Sequence, residues 1–430
     1  MRSLCLALSL GLVSLLPAQD PAQPAAGLVP AVRVVPADHA AVRAATPKTT
    51  PAQDHAAAQG SHIKEASIPV KSTDGKLRLQ TLTVDPAGRV LGLVAPPRTY
   101  GVSTAKASSE VQIFSPEGKL RHTVPVSFHA HCINTDAQGT IYVAGEGKVA
   151  KFDKDGKLLV QSELPHLKKL LADTEGIRKE AQKQLDEQKK SFEASVKRFE
   201  EMLKKLREIP EEKRTALQKN QLKQYEQIVQ NLDQTRKFYE ARKVDDLVGQ
   251  TLARLRVING IAISKRDVFI ACGEAKGFGY AVWRMTPDFK EAKEILSGQR
   301  GCCGQFDIQV NGEELLIAQN TMHAWVRYDR EGKEIARHGK RGQDTDPECF
   351  GGCCNPMNLR ANAQGEVFTA ESEGIIKRYS SKGDFLGTVG YAPLTGGCKN
   401  VGIGASPDGS RVYFCDQPGS AILILAKKAK

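Results

Sequence analysis

Apolar and polar residues alternate with a period of two through most of this chain, and short Gly-bearing turns interrupt the alternation at regular intervals. Four segments share one design: "FSPEGKL" (114–120), "FDKDGKL" (152–158), "YDREGKE" (328–334) and "YSSKGDF" (379–385). Each is an aromatic strand end, a polar turn with Gly where a positive φ is needed, and the start of a new strand. A second signature precedes each: "VDPAGRVLGL" (84–93), "TDAQGTIYVA" (135–144), "VNGEELLIA" (310–318) and "ANAQGEVFTA" (361–370), with "ASPDGSRVYFC" (405–415) adding another. Both read as strand–turn–strand units with one buried face.

Laid end to end, these units give blocks of four strands, a repeat length that marks a propeller or solenoid. Six blocks start near residues 79, 131, 257, 305, 356 and 399. The last has three strands before the chain ends at "AILILAKKAK". "HIKEASIPV" (62–70) is expected to supply its missing outer strand and close a ring, which leaves no open seam. The predicted fold is an all-β six-bladed propeller, with blades one and two in 62–165 and blades three to six in 256–430.

Residues 166–255 break the repeat. The stretch from Arg178 to Lys243 has no Gly and a single proline, Pro210. Leu185, Phe192, Val196, Phe199, Leu203 and Leu206 form one helical stripe, and Leu217, Tyr225, Ile228, Leu232 and Tyr239 form another. The pattern predicts an inserted α-helical hairpin of coiled-coil type. Pro210 fits the first turn of its second helix, and each arm of about forty residues would extend about 60 Å.

The unit "CNPMNLRANAQGEVFTAESEGIIKRYSSKGDFLGTVG" (354–390) resembles an NHL repeat: Pro, an apolar strand, a Gly turn, a second strand, then "KRYSSKG". The resemblance covers about 62–165 and 256–427. It implies an NHL-like six-bladed propeller. The family includes scaffolds, extracellular binders and a few metal-dependent lyases and hydrolases, so the resemblance speaks to fold more than to activity.

The amino terminus changes the picture of where the chain works. Arg2 followed by the apolar run Leu4 to Leu16 and then Leu16-Pro17-Ala18 reads as a signal peptide, residues 1–18. Residues 19–61 are rich in Ala and Pro and read as a flexible linker. Nothing later is long and apolar enough to span a bilayer. An exported protein, periplasmic or extracellular, is expected. The net charge of +12 is spread along the chain with no basic patch interleaved with aromatics, which argues against nucleic acid.

Export makes the ten cysteines informative, because disulfides persist outside the cytosol. Cys5 lies in the leader, and the odd remainder leaves at least one free thiol or an intermolecular pair. In a four-stranded blade the innermost strand lines the channel. Cys132, Cys302-Cys303, Cys353-Cys354 and Cys398 each fall just before such a strand, Cys349 lies in the loop leading to one, and Cys272 and Cys415 end a second strand. All are expected on one face, around one mouth of the channel. Two readings stand. Cys302, Cys303, Cys349, Cys353, Cys354 and Cys398 are disulfide candidates that could staple neighbouring blades, leaving Cys132 as the reactive thiol. Alternatively His129, His131, Cys132, Cys302, Cys303, Cys353, Cys354 and Cys398 are candidate ligands for a divalent metal (zinc or calcium) or for copper. No CxxC, HExxH or CxxCH motif is present, and no catalytic residue is assigned. The expected function is a secreted binding or scaffold protein whose hairpin meets a protein partner or a second copy. The alternatives are a metal-dependent lyase or hydrolase with its site at the channel mouth, and a thiol metal-binding or redox protein.

Overall fold

A computed structural model describes residues 51–97, 107–274, 279–302, 304–342, 346, 348–352, 354–393 and 401–429. The turns explain why the repeat exists. At Asp85 the carboxylate accepts hydrogen bonds from the amides of Ala87 (3.0 Å) and Arg89 (2.8 Å). The Gly88 amide donates back to the Asp85 carbonyl, and Gly88 sits at φ +80°, a conformation that costs glycine little. The same arrangement recurs at Asp136, Asp153, Asp329 and Asn362, and with a hydroxyl at Ser380. The side chain thus fixes the chain reversal before any partner strand is present.

These turns build six four-stranded antiparallel sheets among the described residues. Their innermost strands are Arg78–Val84, Cys132–Thr135, Ile258–Ile263, Ile308–Asn311, Asn358–Ala361 and Ile403–Ala405. Each touches the inner strand of the next sheet, and the sixth touches the first, so the sheets form a closed ring around a channel. Between every two neighbouring sheets lies a separate apolar core. Leu91, Val111 and Val143 join sheets one and two; Phe269, Phe306 and Ile317 join three and four; Leu82, Tyr413 and Ile424 join six and one. This is propeller architecture, with radial sheets each buried on two faces. The outer strand of the sixth sheet is His62–Pro69, paired with Ala421–Lys427. A short parallel pair, Lys340–Arg341 with Cys349–Phe350, leads into the fifth sheet.

The segment expected to be wholly flexible linker contains a helix, α1 (Pro51–Gln59), in its described part. It packs against the outer strand of the fifth sheet, Phe385–Tyr391. Ala56 is buried, and Gly60 lies so close to Val389 and Gly390 that no Cβ would fit. Ala-rich composition is helix-permissive, and a glycine that lets two backbones meet supplies the anchor. Residues 1–50, with the expected signal peptide, lie outside the described residues.

Between the second and third sheets the chain forms four helices: α2 (Pro165–Ala172), α3 (Thr174–Glu208), α4 (Ala216–Ala241) and α5 (Val244–Arg256). α3 and α4 run antiparallel. Phe192 meets Tyr239 and Phe199 meets Tyr225, with ion pairs Arg207–Glu226 and Arg236–Glu193 alongside. Pro210 does not open α4. It precedes a turn of 3-10 helix, Glu211–Lys213, and α4 begins after Thr215. The Thr215 hydroxyl accepts from the Gln218 amide while the Gln218 side chain accepts from the Thr215 amide. This reciprocal cap outweighs the proline signal. Nor is the second arm continuous: it breaks at Arg242–Lys243, and α5 folds onto the base of α3 through Leu247, Ala181 and Leu185. The base is part of the ring's interior, since Leu167, Ile177 and Leu255 share a core with Ile258, Ile270 and Cys272. Among the described residues no helix is long and apolar enough to cross a membrane.

Two outcomes follow. Gln188 and Arg242 are hydrogen-bonded at 2.8 Å, so replacing 189–241 with a short Gly/Ser turn should leave the thermal midpoint nearly unchanged. Replacing 167–254 should lower it sharply, and Leu167→Ala alone should cost about 2–4 kcal/mol in urea unfolding; equal midpoints for the two deletions would show that the base is dispensable. At the turns, a Cβ on Gly332 would lie 2.2 Å from the Ile295 carbonyl oxygen at φ +89°. Gly332→Ala should therefore destabilise by more than about 1 kcal/mol, and by more than Asp329→Ala, which removes one capping acceptor; the reverse order in urea unfolding would refute this account of the turn.

Candidate functional sites at the two ends of the channel

The channel narrows to a waist. Thr81, His131, Cys132, Asn259, Asp307 and Arg360 surround a cavity of about 10 Å³ there, about enough for one water. Asp307 and Arg360 form a buried ion pair at 2.7 Å. Asp307 Oδ2 also accepts from the Leu359 amide at 2.9 Å, so the pair ties the fourth sheet to the fifth. Burial pushes the Asp307 carboxyl above its ordinary pKa, against the pull of Arg360.

On the side reached by the loops between sheets, the structure brings His129 and His131 together. Their rings are 4.7 Å apart, edge to face. Glu146 joins them from the turn after the second strand of the same sheet, at φ +48°. One ligand atom from each of the three lies within 4.8 Å of the others, a two-histidine, one-carboxylate set. Their hydrogen bonds define the tautomers. His129 Nε2 must donate to the Pro96 carbonyl (2.9 Å). His131 Nδ1 accepts the Ile258 amide (3.1 Å), so its Nε2 carries the proton and faces Glu146 at 4.0 Å. A metal on His131 Nε2 would require that cross-sheet bond to break or the ring to ligate as imidazolate.

Cys132 does not behave as an exposed, reactive thiol. It is 6% exposed, and its Sγ donates to the Ala144 carbonyl at 3.5 Å. Its side chain turns into the core between sheets two and three, away from the set expected beside it. Cys349 is a thiol that donates to Asp346 Oδ2 at 3.1 Å rather than one end of a staple. Cys302 and Cys354 meet the core between the fifth and sixth sheets. Cys303, Cys353 and Cys398 lie outside the described residues. Cys272 and Cys415 are buried, and burial pushes both thiols up, Cys272 to about 12. Cys272 Sγ lies 3.6 Å from Nε2 of His166, whose burial pulls it down to about 3. The pair is a neutral thiol beside a neutral imidazole, and His166 stacks on Trp283.

Other loop groups on this face are structural. Glu371 pairs with Lys377 at 2.9 Å, both fully buried, and Lys377 also donates to the Cys349 carbonyl. Glu373 accepts from Asn355 and Ser372. Glu146, His166 and the Asp307–Arg360 pair carry no local motif that would mark them in sequence.

The opposite end opens widely. The turns between first and second strands surround a funnel of about 780 Å³, lined among others by Asn134, Asp136, Lys151, Lys265 and Gln309. Its carboxylates are engaged. Asp85 holds its turn and Arg89; Asp136 accepts from Gln138, Thr140 and the Tyr142 hydroxyl; Glu313 pairs with Arg266. Sequence patterning placed these acids in turns but gave no sign that they ring a cavity.

No family model matches the chain, and no curated protein sequence does. Among solved structures it is similar to the Pan2 WD40 domain of Neurospora crassa (7% identity, TM-score 0.43, covering 89% of this chain and 98% of that one). It is similar to a calcium-binding protein, regucalcin, of Agrobacterium tumefaciens (9%, TM-score 0.43, 84% and 93%) and to a gluconolactonase of Xanthomonas campestris (10%, TM-score 0.39, 85% and 99%). Likenesses this distant carry no activity or ligand over to the residues described above.

Proposed function

We propose that this chain is an exported, six-bladed NHL-like propeller that acts as a binding module. Its wide mouth takes the ligand, and the helical hairpin serves as an arm toward a protein partner or a second copy. The observation that carries the reading is the funnel of about 780 Å³ at that mouth, a volume in the range of small-molecule sites. Its walls are turns held rigid by their own side chains, and its acids are engaged in holding them. Such walls suit recognition better than proton transfer, which needs a group able to gain and lose a proton at the substrate. The hairpin adds exposed apolar side chains, Leu217 and Phe238.

The grouping of His129, His131 and Glu146 supports a second reading, a metal-dependent lyase or hydrolase working from the other face. The Ile258 amide bond to His131 weighs against it.

A thermal-shift screen of small metabolites, neutral and charged, tests the first reading. At least one compound should stabilise the chain saturably, and Ala137→Trp, a rim substitution that fills the funnel, should abolish the shift. A compound that is turned over instead would move the chain to the enzyme class. Metal analysis of the purified chain tests the second: less than a tenth of an equivalent is expected on the order-of-magnitude view that a resident site holds about one ion per chain. One equivalent lost in His129→Ala would establish the metal reading. In native alkylation at pH 8, Cys132, Cys272 and Cys415 should react only after unfolding, since thiolate is the nucleophile and all three are buried; rapid labelling of any of them would contradict the packing described.

A further inference from the structure

The funnel's charges do not balance. Asp85 pairs with Arg89 and Glu313 with Arg266, while Asp136 accepts from two amides and the Tyr142 hydroxyl and keeps its negative charge. Lys151 and Lys265 line the same funnel, and among the described residues neither lies within ion-pair distance of a carboxylate. Lys151 instead stands over the Tyr142 ring, 5.3 Å from its centre. Gln309 adds a third donor. Its Oε1 accepts both Asn134 Nδ2 (2.6 Å) and the Val310 amide (3.1 Å), which fixes the amide orientation and leaves Nε2 without a hydrogen bond among the described residues. With those two ion pairs set aside, two lysines and the Gln309 amide face one carboxylate, Asp136, across the cavity, an excess of positive charge and donors that favours an anion.

We infer that the funnel binds a small multivalent anion, bearing carboxylate or phosphate groups, between Lys151, Lys265 and Gln309. The inference rests on the binding-module reading and names its ligand class. A concave site with low-dielectric walls focuses the field of its lysines, and charge-assisted hydrogen bonds to an anion are stronger than neutral ones. Two separated lysines favour a ligand with at least two charges over a monovalent one.

The experiment is titration calorimetry of the full purified chain with citrate and with pyrophosphate, at low and at physiological salt. At least one should bind with one-to-one stoichiometry, more weakly at the higher salt as screening shortens to about 8 Å. The double variant Lys151→Gln/Lys265→Gln should lose about tenfold or more in affinity, about 1.4 kcal/mol. The control Lys154→Gln/Lys333→Gln, on the turns between third and fourth strands of two sheets and outside the funnel lining, should bind as the unmodified chain. Citrate alone, pyrophosphate alone, or both assign the ligand to carboxylates, phosphates or charge in general. Binding of neither anion, or unchanged binding in the double variant, overturns the inference. Circular dichroism melts of both variants check that loss of binding is not loss of fold. A neutral ligand displaced by Ala137→Trp would overturn the anion while leaving the binding-module reading standing; no mouth-dependent ligand of any kind would remove both.

Discussion

One side-chain oxygen holding two backbone amides is the contact on which this architecture turns. At Asp85, Asp136, Asp153, Asp329 and Asn362 it closes a reversal whose backbone fits glycine at the fourth residue. The contact is local, between residues at most four apart, so it needs no distant chain and ties each strand's register to its own turn. The same contact determines what the wide mouth can do. Carboxylates bound to their own amides are fixed as walls, and Lys151 and Lys265 stand beside them without an ion-pair partner among the described residues.

The second requirement is closure. Each sheet buries both faces against neighbours, and the last borrows its outer strand from residues 62–69, so both ends of the ring are held by one set of hydrogen bonds. The helices are attached to that ring, not merely inserted in it. Leu167, Ile177 and Leu255 fill the gap between the second and third sheets, while the distal halves of α3 and α4 touch only each other among the contacts described.

Strands and turns are legible in the sequence because their causes are local: a period of two, an Asp, Asn or Ser, and a glycine three residues on. The helical stripes are legible for the same reason, although Pro210 pointed to the wrong first residue where the Thr215–Gln218 cap decided the matter. The sites are less legible because they are assembled by closure. His129 and His131 are two apart in sequence and their rings lie side by side, but Glu146 reaches them from another turn. Cys132 follows His131 directly, yet alternation along the strand sends its side chain into the core. Lys151 and Lys265 are two lysines among many until the ring places them on one cavity. The Cys-Cys doublets give the clearest signal in the sequence, and the described residues include only one member of each, Cys302 and Cys354.

The length of α3 has a mechanical consequence. Thirty-five residues at 1.5 Å each make a rod of about 52 Å, fixed at one end between two sheets and supported laterally by α4. A rod so mounted is a lever. A tilt of about 5° at its base would sweep its tip through about 4–5 Å given that rod length. Displacements too small to register within the ring thus become displacements of molecular size at the far end of the hairpin, and the same leverage returns force applied at the tip to the seam between the second and third sheets.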